Sequence, residues 1–404
     1  MKHDPASEPS PIRGISRNVF ILGLVSLFTD ASTEMIYPLI PLFLTQTLGA
    51  SVSVLGVIEG VAEASASVLK GVSGWLSDRI GLRRPLVIFG YGLAALTKPL
   101  LALAAGWPLV LAARALDRFG KGVRGTPRDA LIADSAQPSL RGHAFGFHRS
   151  TDQIGAVIGP LIAVPLLALF SHSYRVLFVV AFIPAALGVA TLFLVRETGK
   201  GSHEVRPPAF RLRHAPPAFR RFLLIMLLFT VGNSSDVFLL LRAREIGLSD
   251  QGVVLLFAAF NLVYVVSAYP SGVVSDHLGR RHVLVAGLAV FALVYLGFGL
   301  TAAPAWIIVL FLIYGLYQGL TDGNTRAFVA DLIPAEQRAT ALGLYSMATG
   351  LCTFAASAMG GLLWQWWGAP ATFFYGAALA GTAALLLAKA WHAPSAQTTP
   401  WAGC

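Results

Sequence analysis

Charge is what this sequence lacks most. Only 12% of its 404 residues are Asp, Glu, Lys or Arg, about half the share a soluble domain carries. With 55% hydrophobic residues and a mean hydropathy of +0.68, no water-soluble core could absorb so much apolar sequence. The two or three soluble domains that length alone would suggest are therefore excluded. Cysteine is nearly absent: Cys352 lies in an apolar run and Cys404 at the very end, so no disulfide framework exists. The histidines show no metal-ligand spacing, and neither Gly-x-Ser-x-Gly nor His-Glu-x-x-His occurs. Gly120-x-Gly122-x-x-Gly125 has the letters of a dinucleotide fingerprint, yet no strand precedes it and no βαβ unit surrounds it. Gly120-Lys121 is no phosphate loop, because Ala115 holds the first glycine position and Gly122 the Ser/Thr position. The expectation is a chain that is not an enzyme and carries no cofactor and no metal.

Long apolar runs are what the chain has instead. Stretches of about 20 apolar residues, enough to cross a bilayer, can be placed at 18–44, 52–75, 85–104, 108–131, 142–169, 174–195, 221–243, 251–274, 283–301, 304–330, 339–366 and 371–391. The first is too long for the apolar part of a signal peptide and contains Asp30 and Glu34, so it reads as a spanning helix. Breaks fall at Gly, Pro and charged residues. The one long break runs from Arg196 to Arg221 and holds Gly199, Gly201, Pro207, Pro208, Pro216 and Pro217. The expected organisation is a first unit over 1–195, a linker over 196–220 and a second unit over 221–404.

The two units are copies. Ser73-Gly74-Trp75-Leu76-Ser77-Asp78-Arg79-Ile80-Gly81-Leu82-Arg83-Arg84 returns 198 residues later as Ser271-Gly272-Val273-Val274-Ser275-Asp276-His277-Leu278-Gly279-Arg280-Arg281-His282. Ala130, Ala133, Asp134, Arg141, Ala144 and Gly146 return 197 residues later as Ala327, Ala330, Asp331, Arg338, Ala341 and Gly343. The change of offset means a one-residue insertion or deletion between the two matches. A period this long is a duplicated bundle rather than a solenoid unit, and duplicated halves in so apolar a chain mark alternating access.

Most of the 30 Lys and Arg residues fall on one side of this arrangement if the N-terminus is inside; Arg175, Arg242 and Arg244 fall outside. That bias places both termini and the linker in the cytoplasm. It also explains the formal net charge of +10 as topology, so no nucleic-acid partner is expected.

At this point the residues resemble the major facilitator superfamily over essentially the whole chain. Gly74-x-x-x-Asp78-Arg79-x-Gly81-x-Arg83-Arg84 is similar to the family's loop motif between helices 2 and 3. Gly272, Asp276, Gly279 and Arg281 stand in the second copy, between spans 8 and 9. The resemblance implies an all-α membrane protein of 12 transmembrane helices in two six-helix pseudo-symmetric bundles. It also implies that Asp78 and Arg83 latch the outward-facing state through charges near the end of span 4, with Asp134 as the candidate. Leu82 stands where the family usually has a basic residue, as Arg280 does in the second copy. In span 5, Gly146, Gly155 and Gly159-Pro160 resemble the motif of proton-exchanging exporters, although Ala163-Val164 replace its closing glycines. Small residues there also make an ordinary groove for a neighbouring helix.

Span 4 concentrates the chain's scarce charge. Arg114, Asp117, Lys121, Arg124 and Arg128 recur every three or four residues, with Arg118 beside them, so they share one broad face. A charge at the bilayer centre costs about 3 kcal/mol, so such a face must look into protein or water. Arg124 and Arg128 lie near the end of the span, where long side chains snorkel. Arg114 stands where the resembled family places its helix-4 arginine. The other intramembrane charges are Asp30 and Glu34, Glu59 and Glu63, His148, Arg149 and Asp152, then Asp236 midway along span 7, and Asp322 and Arg326. A buried carboxylate balanced between desolvation and a nearby arginine can exchange protons near neutral pH. The same acids would also serve simply to neutralise the span-4 cations. In the resembled fold, helices 1, 4, 7 and 10 line the cavity, and a helix-1 acid with a helix-4 arginine resembles the drug:proton antiporters.

The expectation is a multi-pass protein of the inner membrane exporting small organic molecules in exchange for protons, with a single chain sufficing. Two alternatives remain: a carrier of anionic metabolites, in which Arg114, Arg118, Lys121 and Arg149 bind carboxylate or phosphate, and a scaffold that senses or assembles without moving substrate.

Overall fold

The computed structural model describes residues 15–80, 83–137, 140–170, 173–197, 212, 215–334 and 337–389, without the side chains of 71, 72, 74–80, 141, 142, 338 and 339. Its helices form twelve rods. The first, α1, starts as Arg17–Ile36 and continues through Tyr37–Leu39, Ile40–Leu42 and Phe43–Thr47. There follow α2 (Val52–Ile80), α3 (Arg84–Ala102), α4 (Trp107–Ser135), α5 (Arg141–Leu169) and α6 (Tyr174–Leu192). The second half repeats the series with α7 in two pieces (Pro217–Gly232 and Val237–Glu245), α8 (Asp250–Leu278), α9 (Arg280–Leu300), α10 (Pro304–Asp331), α11 (Arg338–Trp367) and α12 (Ala369–Lys389). Among the described residues, eleven helices are long and apolar enough to cross a membrane. The remaining rod is α4, whose charges make it the exception.

A chain this apolar has to satisfy its backbone within each segment, which favours helices. Local chemistry sets their ends. The hydroxyl of Ser16 accepts from the amide of Val19 at 3.4 Å, and that of Ser249 from Gly252 at 3.1 Å, which caps α1 and α8. Proline sits in the first turn of α3, α4, α7 and α10, where its missing N–H costs nothing. Gly279 (φ +86°) and Gly368 (φ +82°) each turn one helix directly into the next, a conformation other residues resist.

Two expectations need correcting here. Span 7 is not continuous: residues 233–236 are non-helical, so Asn233-Ser234-Ser235 and Asp236 lie at a break. The rod also begins at Pro217, inside the stretch expected to be linker; residues 198–211 lie outside the described residues.

The halves meet closely along α2 and α11. A Cβ on Gly361 would stand 2.7 Å from the carbonyl oxygen of Val52, and one on Gly60 would stand 2.9 Å from that of Phe354, so only glycine permits this approach. On the face away from the termini, the Tyr174 hydroxyl donates to Asp250 at 2.6 Å, Arg244 pairs with Asp250 at 2.8 Å, and the rings of Tyr37 and Phe257 lie 5.5 Å apart. These contacts join the halves on the far face.

Candidate functional site

The interior of the first half is an ion-pair network built on α4. Arg114 donates to both oxygens of Glu59 on α2, at 3.0 and 2.7 Å, with both side chains almost wholly buried. Such a two-pronged pair is strong and directional. One turn on, Asp117 accepts from Lys98 of α3 at 2.8 Å, beside Thr97. Arg118 pairs with Glu63 at 3.0 Å. Arg124 lies 4.1 Å from the ring of Tyr91, a cation–π contact.

This geometry revises one expectation. Arg114 makes its ion pair with Glu59 on α2 rather than with a helix-1 acid. The cation facing both Asp30 and Glu34 is Lys121.

A second group sits between α1 and α5. A Cβ on Gly155 would meet Ala31 N at 3.1 Å and Asp30 Cβ at 3.2 Å, and one on Gly159 would meet Met35 N at 2.8 Å, so the two glycines lay α5 directly against α1. Gly146 touches no neighbour in this way, and α5 runs unbroken through Pro160 and Pro165. The close approach brings the carboxyl of Asp30 within hydrogen-bonding range of that of Asp152. Asp152 also accepts from Ser26 at 2.6 Å and Arg149 at 3.2 Å. Arg149 then crosses to the other half: it donates to the Tyr264 hydroxyl at 3.0 Å and lies 3.5 Å from Asp322. Tyr264 and Arg326 both donate to Asp322 at 2.9 Å.

The third group is the α7 break, where Asp236 accepts from Tyr314 at 2.6 Å and Asn233 donates to Tyr317 at 3.3 Å.

The loop motif occupies the face of the termini. Gly81 lies outside the described residues, and of Gly74 and Asp78 only the backbone path is described. Arg83 pairs with Asp134, and Arg84 donates to the Phe193 carbonyl at 2.8 Å. In the second copy, Arg280 pairs with Asp331 at 3.3 Å and with Asp276 at 3.6 Å. Arg281 donates to the carbonyls of Leu387, at 3.1 Å, and Ala388, at the end of α12. Gly272 faces open space and Gly279 makes the turn. These bonds correct the register: the counterpart of Arg83 is Arg280 and that of Arg84 is Arg281, an offset of 197. Ser73 and Ser271, which donate to the carbonyls of Gly122 and Gly319 at 2.9 and 2.6 Å, keep the offset of 198. The one-residue difference therefore lies in this loop.

Sequence reasoning missed Lys98 and Tyr264. Lys98 is the lone cation inside an otherwise apolar span, and that was its available signal. A tyrosine in an aromatic-rich helix gives none.

Comparison with known proteins places this architecture. A model described as Major Facilitator Superfamily matches residues 22–242 and again residues 221–401. An uncharacterised MFS-type transporter of Methanocaldococcus jannaschii is 34% identical over 381 residues, covering 93% of this chain and 95% of that protein. The fosmidomycin resistance protein of Escherichia coli is 26% identical over 381 residues, covering 88% of this chain and 89% of that protein. A crystal structure of the nucleoside transporter NupG has a TM-score of 0.79 at 12% identity, covering 92% of this chain and 99% of that one, a likeness of fold alone. The chain belongs to the major facilitator superfamily, as a multi-pass secondary-active transporter of small solutes and not an enzyme.

Proposed function

We propose that the protein exports small organic molecules in exchange for protons, from an inner membrane with both termini and the linker on the cytoplasmic side. The observation that carries this reading is the facing pair Asp30 and Asp152 at the α1–α5 contact. A proton held there is matched by few groups: Lys121 and Glu34 face Asp30, while Ser26, Arg128, Arg149 and His148 face Asp152. Because Arg149 also holds Tyr264 and Asp322, a change of charge at the pair is felt where the halves touch. Export is supported by the names of similar proteins: the fosmidomycin resistance protein, and the multidrug resistance protein MdtG of a Rahnella species, 25% identical over 334 residues and covering 78% of this chain and 79% of that protein.

The test is transport by the full chain in proteoliposomes under an imposed pH gradient, with a cationic and an anionic probe set. Asp30→Asn should abolish uphill transport while downhill movement or binding survives in part. Normal uphill transport by both Asp30→Asn and Glu34→Gln sinks the coupling role. The reading as a carrier of anions keeps one supporting observation. Arg114 and Arg118 are taken by Glu59 and Glu63, but Lys121 makes no ion pair among the described residues. Uphill movement of the anionic set alone would favour it.

A further inference from the structure

Lys70 of α2 is a cation set among cations. Its side chain leaves α2 toward α4, where the missing Cβ of Gly125 gives it room: a Cβ there would lie 4.0 Å from Lys70 Cγ. The Lys70 carbonyl accepts from the Thr126 hydroxyl of α4 at 3.0 Å, which ties this turn of α2 to α4. The charged groups facing Lys70 are Lys121 and Arg118 of α4, Arg326 of α10 in the other half, and Glu63 of α2. The one acid among them is taken, because Glu63 pairs with Arg118 at 3.0 Å. Among the described residues the lysine that makes an ion pair is Lys98; Lys70 and Lys121 make none. Lys121 has acids before it, Asp30, Glu34 and Glu63, so the local excess of positive charge lies at Lys70 and Arg326.

Arg326 is 67% exposed and depends on a divided partner. The Asp322 carboxylate accepts from Arg326 and from Tyr264 at 2.9 Å each, and it lies 3.5 Å from Arg149 of the first half, itself 52% exposed. One carboxylate thus serves two guanidinium groups. Arg326 spends one nitrogen on it, so most of its five N–H donors stay open. The acids that have no ion pair lie elsewhere: Asp30 and Glu34 face Lys121, and Asp236 at the α7 break faces Glu59, Glu63 and Tyr314. Neighbouring cations in a medium less polar than water repel one another. An incoming group that brings negative charge and acceptor oxygens relieves that repulsion, and a guanidinium fork matches the oxygens of a carboxylate or phosphate.

We propose that Lys70 and Arg326, with Arg149 beside them, hold the anionic group of the substrate, a carboxylate or phosphonate, between the two halves of the protein. This rests on the transport reading and names the substrate class for it.

The experiment is calorimetric titration of the purified full-length protein, in phosphatidylcholine nanodiscs, with benzoate and with phenylphosphonate. The expected result is saturable binding that weakens as salt is raised. Lys70→Gln and Arg326→Gln should each weaken it about fivefold or more, the loss of one charged hydrogen bond at a partly exposed site. Lys70→Arg, which keeps the charge, should retain most of the affinity. Asp322→Asn removes the carboxylate that competes for Arg326 and should tighten binding, a gain that a purely structural role would not give. No saturable binding of either probe, unchanged affinity in Lys70→Gln, or weaker binding in Asp322→Asn overturns the proposal. Loss of probe binding when phosphatidylglycerol replaces phosphatidylcholine would assign these cations to a lipid headgroup and overturns it too. If the probes bind as expected but none moves uphill in proteoliposomes, the transport reading fails and this site stands.

Discussion

The two halves share a frame and differ in what fills it. Ser73 and Ser271 make the same bond to a glycine carbonyl on α4 and α10, and Arg83–Asp134 is repeated as Arg280–Asp331. Inside, the chemistry changes. Where the first half pairs Lys98 with Asp117 at 2.8 Å, the same offset in the second half gives Tyr295 and Tyr314, with rings 6.2 Å apart. Glu59 and Arg114 are answered by Phe257 and Phe311, both packed on Phe260. Asp152, which faces Asp30, is answered by Thr349. Aromatic pairs gain from burial without desolvating charge, whereas buried ion pairs roughly break even against apolar residues of similar volume. The second half shows that this frame folds without the charges, so stability alone does not account for them in the first.

The largest effect should come from splitting the most buried pair. Arg114→Met leaves Glu59 uncompensated and should cost about 3–5 kcal/mol, seen as a large fall in thermal unfolding temperature. Combining it with Glu59→Leu imitates Phe257 and Phe311 and should recover most of that stability. The double variant should nevertheless fail in transport. Normal transport by a stable double variant would reduce the pair to packing and break the comparison.

The sequence carried the frame more openly than the interior. Apolar runs marked the rods because a spanning helix needs a continuous length of such residues, and the spacing of Arg114, Asp117, Lys121 and Arg124 put charge on one face of α4 before any partner was known. The partners themselves are set by how helices far apart in the chain are packed. Glu59 and Glu63 on α2, not Asp30 and Glu34 on α1, therefore receive Arg114 and Arg118. The α7 break was hidden because the polar stretch Asn233–Asp236 is only four residues long within an apolar run, with the Ser235 amide diverted to a residue over a hundred positions away. The loop register was ambiguous because Arg83-Arg84 and Arg280-Arg281 can be matched one residue apart, and only their partners on α4, α10 and the ends of α6 and α12 decide it.

A smaller effect is expected at the bridge between the halves. Arg149 is 52% exposed and Asp322 32%, so solvent screens the pair and a double-mutant cycle with Arg149→Gln and Asp322→Asn should give about 1 kcal/mol of coupling. The readout that matters is conformational. Spin-label distances between the α4 and α10 ends should lengthen in either single variant, and no further in the double. Additive lengthening would mean that the two residues act separately and that the first half's charges do not report across the interface.

The smallest effect tests the frame rather than the interior. Arg83 and Arg280 occupy equivalent places, but their settings are unequal. Arg83 pairs with Asp134 and also donates to the Ala130 carbonyl at 3.2 Å, while the amides of Arg83 and Arg84 hold the Glu197 carboxylate at 3.2 and 2.8 Å. Arg280 is divided between Asp331 at 3.3 Å and Asp276 at 3.6 Å, and it is more exposed, at 28% against 15%. Partly exposed pairs of this kind contribute at most about 1 kcal/mol. Arg83→Ala should therefore approach that loss in unfolding experiments at low salt, Arg280→Ala should fall well short of it, and Asp276→Asn should do less again because Asp331 remains. Raising the ionic strength to about 1 M, where screening acts within roughly 3 Å, should erase the Arg280 effect and leave part of the Arg83 effect, since the Ala130 carbonyl bond is not an ion pair. Equal losses from the two arginines at low salt would show that the copies are alike in energy as well as in geometry, and that the asymmetry between the halves is confined to the membrane interior.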